Sequence, residues 1–281
     1  MGQVTITLQS HHFPSHRKNV WQYLPNNYAA NEDHVNLMVD SFFGNLYNLE
    51  KTHWWFVCRR QLARDFLTTY QPTTLPRILD MGCGTGGMLD ELQQVGVEFG
   101  LDVSATAIEF CRARGHDRIV LGSGEALPFL PNSFDAIVSL DVFEHIGNDL
   151  LAFKSVHRIC APGAVVIISV PAMQFLWTTR DDRLLHKRRY TRSALITIVR
   201  LAGFEVIKCS YYCVFFFPVV YALVFLSRLV GVTPHVSTDI PAVNPVLNYL
   251  FRQILLAEQW LMRWVNYPFG VSLVCVLKKS N

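Results

Sequence analysis

"LDMGCGTGG", residues 79–87, is the stretch on which the fold turns. An apolar run, "RILDM" (77–81), carries Asp80 near its end and passes into Gly82, Gly84, Gly86 and Gly87 before a helical pattern begins. Glycine lets backbone turn tightly and approach a ligand, and a helix that starts after such a turn points free N–H groups at whatever lies there. A second carboxylate, Asp102, closes the next apolar run, "VEFGLDV" (97–103), where it can accept both hydroxyls of a ribose. Gly82, Gly84 and Gly87 also satisfy the G-x-G-x-x-G spacing of dinucleotide sites, so the loop alone leaves two kinds of adenosine cofactor open.

Outward from the loop, strand-like runs alternate with helical stretches. "RIVLG" (118–122), "FDAIVSL" (134–140), "AVVIISVP" (164–171), "FEVIKCSYY" (204–212) and "GVSLVCVLKK" (270–279) read as further strands. Helices are expected over about 87–95, 104–114, 149–160 and 191–202, with "APG" (161–163) as a turn. This alternation predicts a parallel sheet with crossover helices. Upstream, "LEKTHWWFVCRRQLARDFLTTY" (49–70) predicts a helix that interleaves aromatic and basic residues.

The chain of 281 residues is 51% hydrophobic and 17% charged, enough for a real core and not compositionally disordered. A net charge of +3 is too mild for a dedicated nucleic-acid binder. Seven scattered cysteines without a C-x-x-C pair suggest neither a disulfide framework nor a zinc site, and a cytoplasmic location is the simplest expectation. The N-terminus has no signal-peptide pattern, and Ile6 stands where a myristoylation motif needs Ser or Thr. Residues 209–227 carry no charge over nearly the roughly 20 positions that span a bilayer, but Pro218 and the strand-like start argue against one spanning helix.

Asp80 to Gly86 spell Asp-x-Gly-x-Gly-x-Gly. With "GLDVSATAIEFCRARG", "GEALPFLPNSFDAIVSLDVFEHI" and "RICAPGAVVIISVP", the chain resembles class I S-adenosylmethionine-dependent methyltransferases over about residues 50–212 and 271–278. The resemblance implies an α/β, Rossmann-like, doubly wound seven-stranded sheet with an antiparallel last strand. It divides the chain into an N-terminal extension or lid (1–50), a core (51–212 plus 271–281) and a helical apolar insert (213–270) serving as substrate cap or oligomer face. The implied cofactor is S-adenosyl-L-methionine, leaving as S-adenosyl-L-homocysteine. Gly82, Gly84 and Gly86 then meet its methionine part, Asp102 the ribose and Val103 the adenine, and Asp80 is counted with them among the cofactor-binding residues. Ser123, Gly124 and Glu125 stand where this group commonly carries an adenine-binding aspartate, and Leu140 lies beside the sulfonium. Trp55 shields the methylsulfonium and Arg59 pairs with the cofactor carboxylate, with Trp54 and Arg60 as neighbours able to do the same.

Methyl transfer needs alignment above all, and a base only where the acceptor holds a proton of high pKa. "LLHKRRYT" (184–191) offers His186 as that base and Tyr190 to orient the substrate, and "LDVFEHI" (140–146) adds His145. Asp141, Glu144, His145 and a later histidine are similar to the Glu-x-x-Glu-His set that holds a divalent ion in small-RNA 2′-O-methyltransferases and, similarly, in ubiquinone O-methyltransferases. Asp141 shortens the first reach, and no metal is expected. The expected reaction is methylation of an O, N or C atom of a hydrophobic small molecule, quinone-like, lipid-linked or another secondary metabolite. Lys187, Arg188, Arg189 and Arg192 are candidates to meet an acidic group on it. The alternatives are a cofactor-supported cyclisation without methyl transfer and RNA methylation. A cap over the pocket or an oligomer face is expected of the apolar segment in preference to direct membrane contact, with a peripheral contact through 209–230 and a second copy of the chain as the candidate partners besides the substrate.

Overall fold

The computed structural model describes residues 21–23, 40–71, 73–231 and 242–280; most of the N-terminal extension lies outside them. The chain runs β1 (Trp21–Tyr23), α1 (Asp40–Leu49), α2 (Trp54–Tyr70), β2 (Arg77–Met81), α3 (Gly87–Leu92), β3 (Val97–Asp102), α4 (Ala105–Ala113) and β4 (Ile119–Gly122). It continues through β5 (Phe134–Leu140), α5 (Asp149–Ile159), β6 (Cys160–Pro171), α6 (Thr179–Arg183), α7 (Arg192–Leu201), β7 (Phe204–Tyr212), α8 (Phe217–Leu229), α9 (Pro245–Met262) and β8 (Ser272–Lys279).

The strands form one sheet in the order β1-β4-β3-β2-β5-β6-β8-β7. Six neighbouring strands run parallel, and β8 is antiparallel to both β6 and β7. Seven of the strands are the expected Rossmann-like set; β1, paired Trp21↔Val120 to Tyr23↔Gly122, adds a short eighth at one edge. Two apolar cores cover the faces: one holds Leu79, Ile137, Phe153 and Leu195, the other Ile78, Leu67, Ile167 and Leu255. β5 and the middle of β6 are buried on both faces, which is why they read as continuous apolar runs.

Local chemistry sets the helix starts. Ser104, Asn148 and Thr191 each accept a backbone N–H from the first turn of α4, α5 and α7. The "APG" turn instead lies inside β6, as an irregularity where the pairing shifts between Phe134 and Ala136. The helix foreseen over 49–70 starts only at Trp54, and α1 precedes it. Pro218 falls in the first turn of α8, where its missing N–H has no partner to lose, and 209–212 belong to β7. Among the described residues no helix is long and apolar enough to cross a membrane.

Because β8 opposes β6 and β7, those two strands run the same way. Pro171, Tyr212 and Ser272 therefore meet at one end of the sheet, with Pro171 and Tyr212 each paired with Ser272. That is also the end where β2, β3 and β5 finish, the usual place for a ligand in such a sheet. The segment carrying α8 and α9 leaves from and returns to it.

Candidate functional site: a glycine loop under an aromatic helix

The glycine loop is held from both sides. Gly82 and Cys83 donate their N–H groups to Leu101 O at 2.7 and 3.0 Å, and Gly84 N–H donates to Asp102 Oδ2 at 2.8 Å. Ser104 N–H donates to Asp102 Oδ1 at 2.9 Å, so the carboxylate is fixed in orientation while its outer lone pairs remain for a ribose. Gly82 has φ +81°, and a Cβ there would collide with Val142 Cγ2. Asp80 is buried, with one carboxylate oxygen lacking any partner. Burial, helped by the negative Asp102, pushes its carboxyl up to about 8. An orphaned acceptor of this kind fits a cationic ammonium such as that of the methionine part. Val103 is 37% exposed beyond the end of β3, positioned to cover a base.

Ser123 is buried and its Oγ accepts Glu125 N–H at 3.1 Å; Glu125 in turn accepts Gly147 N–H at 3.1 Å. Glu125 therefore ties the loop after β4 to the loop after β5, while Ser123 holds the turn that carries it. Leu140 and Asp141 lie at the end of β5, where Asp141 has φ +58° and accepts Ser169 Oγ at 2.7 Å. Arg59, on α2, forms an ion pair with Asp141 and lies over the rings of Trp55 (5.9 Å) and Phe56 (5.5 Å). The guanidinium expected to meet a cofactor carboxylate thus meets a protein carboxylate at the same end of the sheet. Trp55 stacks on Tyr212 with ring centroids 5.8 Å apart, and Trp54 stacks on Phe216 at 5.0 Å. Arg60 is buried and committed to Glu50, donating to its carbonyl at 2.7 Å.

His186 and His145 come together, their rings edge to face with centroids 4.8 Å apart. His186 Nδ1 lies 2.9 Å from Asp181 Oδ1, which leaves Nε2 as its free nitrogen. Asp181 is buried, and the hydrogen bonds from His186 and Arg189 outweigh that burial and hold its carboxyl below the ordinary range. His145 is driven down to about 4 by burial and by His186, so it is neutral at pH 7. Glu144 is fully buried with both oxygens lacking partners, and burial together with Asp141 raises its carboxyl. Glu144, His145 and His186 bring one ligand atom each within 4.8 Å of one another, a set able to hold a divalent ion.

Two expectations need correction. Tyr190 is buried and its hydroxyl donates to Asp149 Oδ2 at 2.9 Å, so it braces α5 and cannot orient a substrate. Arg188 and Arg189 are spent on Asp149 and Asp181, at 2.7 and 2.8 Å, so the basic run offers less free charge than its composition suggests. Sequence reasoning missed Glu50. It is buried, accepts from Thr85 Oγ1, pairs with Arg114 and fills the space where a Cβ of Gly87 would stand. Its position beside the aromatic helix signal was visible, but nothing local showed that its side chain folds under the glycine loop. Asp181, five residues before His186, was likewise missed.

Comparisons with known proteins bear on the fold and the family. Residues 79–168 match the family described as a methyltransferase domain. The chain is 36% identical over 115 residues to "Probable tRNA methyltransferase 9B" of Bos taurus, covering 40% of this chain and 24% of that one. It is 30% identical over 134 residues to a protein of Mycolicibacterium smegmatis named as a "Probable S-adenosylmethionine-dependent methyltransferase", covering 46% and 52%. The chain thus spans a quarter to a half of the length of these relatives. The fold is similar to that of phosphoethanolamine N-methyltransferase 2 of Haemonchus contortus, solved with S-adenosylhomocysteine (TM-score 0.60, 14% identity, 90% of this chain and 61% of that one). It is similar also to the chain solved with the Haloferax volcanii Trm112 methyltransferase activator (TM-score 0.57, 19% identity, 88% and 98%). Residues 79–168 thus match a methyltransferase domain, and the fold around the glycine loop is similar to that of solved methyltransferases.

Proposed function

We propose that this protein transfers a methyl group from S-adenosylmethionine to an O, N or C atom of a hydrophobic small molecule, quinone-like, lipid-linked or another secondary metabolite. The observation that carries this reading is the position of the apolar segment. It leaves the sheet at Tyr212 and returns at Ser272, the end where the glycine loop and Asp102 lie, and it packs Phe216 and Phe251 against Trp54.

When bound, the cofactor supplies a carbon already activated by a positive sulfur. Asp102 holds the ribose, Val103 covers the adenine, Asp80 takes the ammonium, and Gly82, Gly84 and Gly86 let the backbone approach. Ser123, Gly124 and Glu125 flank the adenine from the end of β4. Trp55 and Arg59 close the site from α2 and exclude water, while Leu140 borders the reacting face. For a protic acceptor, His186 Nε2 takes the proton as its Nδ1–H donates to Asp181, and the neutral His145 keeps the pair from sharing a charge. Such a base is worth about 100- to 10,000-fold in rate.

The test is incubation with isotopically labelled S-adenosylmethionine and a hydrophobic metabolite extract, read by mass spectrometry. A product heavier by one labelled methyl supports the reading, and His186→Gln lowers its formation without changing S-adenosylhomocysteine binding. A product that shifts in retention without gaining mass replaces it with a cyclisation. An RNA acceptor has the name of the tRNA methyltransferase 9B relatives in its favour. Labelled methyl recovered in RNA and absent from the small-molecule fraction would establish that instead.

A further inference from the structure

Helix α8 is built unlike the other helices of the fold. Of Phe217–Leu229 only Val224 is buried, although the helix is apolar nearly throughout. Val219, Leu223, Leu226 and Leu229 are 60, 63, 55 and 67% exposed along one face, and Tyr221 and Phe225, 44 and 49% exposed, stand on the opposite side of the helix axis. A helix that is apolar all round belongs inside a core or in lipid, and a surface helix of a soluble domain normally shows one apolar stripe. Helix α9 has a core-facing side, with Leu255, Glu258, Gln259 and Met262 buried, but its ends expose Val246, Tyr249 and Trp260, and Trp264 follows. Each of the two helices thus exposes more large apolar side chains than scattered surface residues account for.

Charge decides what fits that surface. Within the described parts of 213–269 the charged residues are Arg228, Arg252, Glu258 and Arg263. Glu258 is buried and accepts the N–H groups of Cys213, Val214 and Phe215, so every exposed charge here is an arginine. Arg228 also stands at the rim of a hollow of about 250 Å³ lined by Phe175, Tyr221, Val224 and Phe225. Apolar helices bearing tryptophan and arginine, without exposed acid and too short to span, have the composition of helices that lie in the interface of a bilayer. A second copy of the chain would cover one side of α8 and leave its other sides in water.

We infer that α8 and the outer ends of α9 dock the protein on an anionic lipid surface, with their apolar side chains among the acyl chains and the arginines at the headgroups. The hollow beside Arg228 accepts one acyl chain under an acidic headgroup. The methyl-transfer site, at the same end of the sheet, then faces molecules carried by the membrane. Docking does not depend on the reaction proposed above: S-adenosylhomocysteine binding in solution reads one, and vesicle binding reads the other.

The experiment is co-sedimentation of the full chain with phosphatidylcholine vesicles with and without phosphatidylglycerol. Binding to the anionic vesicles is expected, weakening as salt rises. Leu223→Glu with Leu226→Glu is expected to weaken it by at least about tenfold. Arg228→Gln, Arg252→Gln and Arg263→Gln together should reduce it to the level of vesicles without phosphatidylglycerol. S-adenosylhomocysteine binding should persist in both variants and so report an intact fold. A second measurement needs no variant: brominated lipid should quench and blue-shift tryptophan emission as the exposed tryptophans enter the interface. Failure of the wild-type chain to bind either vesicle overturns the inference. So does equal binding by the glutamate variant, or light scattering that shows a dimer which Leu223→Glu converts to monomer.

Discussion

At the scale of single residues, Asp80 has the sharpest consequence. Its carboxyl is lifted to about 8 by burial and by Asp102, so at neutral pH it is mostly protonated until a cation arrives. Ammonium binding selects the ionised form, so affinity for S-adenosylhomocysteine should rise with pH and level off above about 8. Calorimetry in two buffers of different ionisation enthalpy should show a proton released on binding at pH 7, and Asp80→Asn should abolish both effects. Gly82→Ala should fail for a steric reason: the new Cβ meets Val142 Cγ2 at a backbone angle of φ +81°. A cost of about 1–3 kcal/mol is expected, visible as a lower Tm and lost cofactor affinity. Asp80, Gly82 and Asp102 were legible because their roles follow from chain spacing around one turn. Tyr190 and Glu50 were not. Their partners Asp149 and Thr85 are 41 and 35 residues away, and no local pattern announces a contact made by folding.

At the scale of elements, strands were easier to read than the helices that cover them. Runs of five consecutive buried apolar residues, 164–168 and 273–277, leave little choice, whereas α2 begins only where His53 can accept Trp55 N–H as a cap. The apolar run over 209–227 is the instructive case: its first four residues complete β7 and its residues from Phe217 onward form α8, divided by backbone that turns at Cys213 with φ +62°. Glu258 holds that turn in place by accepting N–H groups at 2.5, 2.9 and 3.4 Å from Cys213, Val214 and Phe215. A buried donor left without a partner costs about 1–3 kcal/mol, so Glu258→Ala should loosen α8 well before the sheet. Limited proteolysis should then cut within 213–231 while S-adenosylhomocysteine binding still protects the core.

For the whole molecule, stability should depend on an ion network beneath the glycine loop. His116 is buried between Asp90 on α3, hydrogen-bonded at 3.1 Å, and Glu98 on β3 at 3.6 Å, and these two carboxylates lift its imidazole to about 9. A histidine whose pKa rises on folding stabilises the fold fully below its unfolded value, near 6.5, and loses that contribution as pH climbs through about 9. Urea midpoints should therefore fall between pH 6.5 and 9 in the wild type and fall less steeply in His116→Gln, where the raised Asp80 still titrates. The sheet order has a consequence for synthesis on the ribosome. Strand β8 lies between β6 and β7, so both flanking edges stay open until residues 272–279 have emerged. The open edge of β6 and the bare helix α8 are exposed together during that interval, which makes the unfinished chain prone to aggregation until β8 closes the sheet.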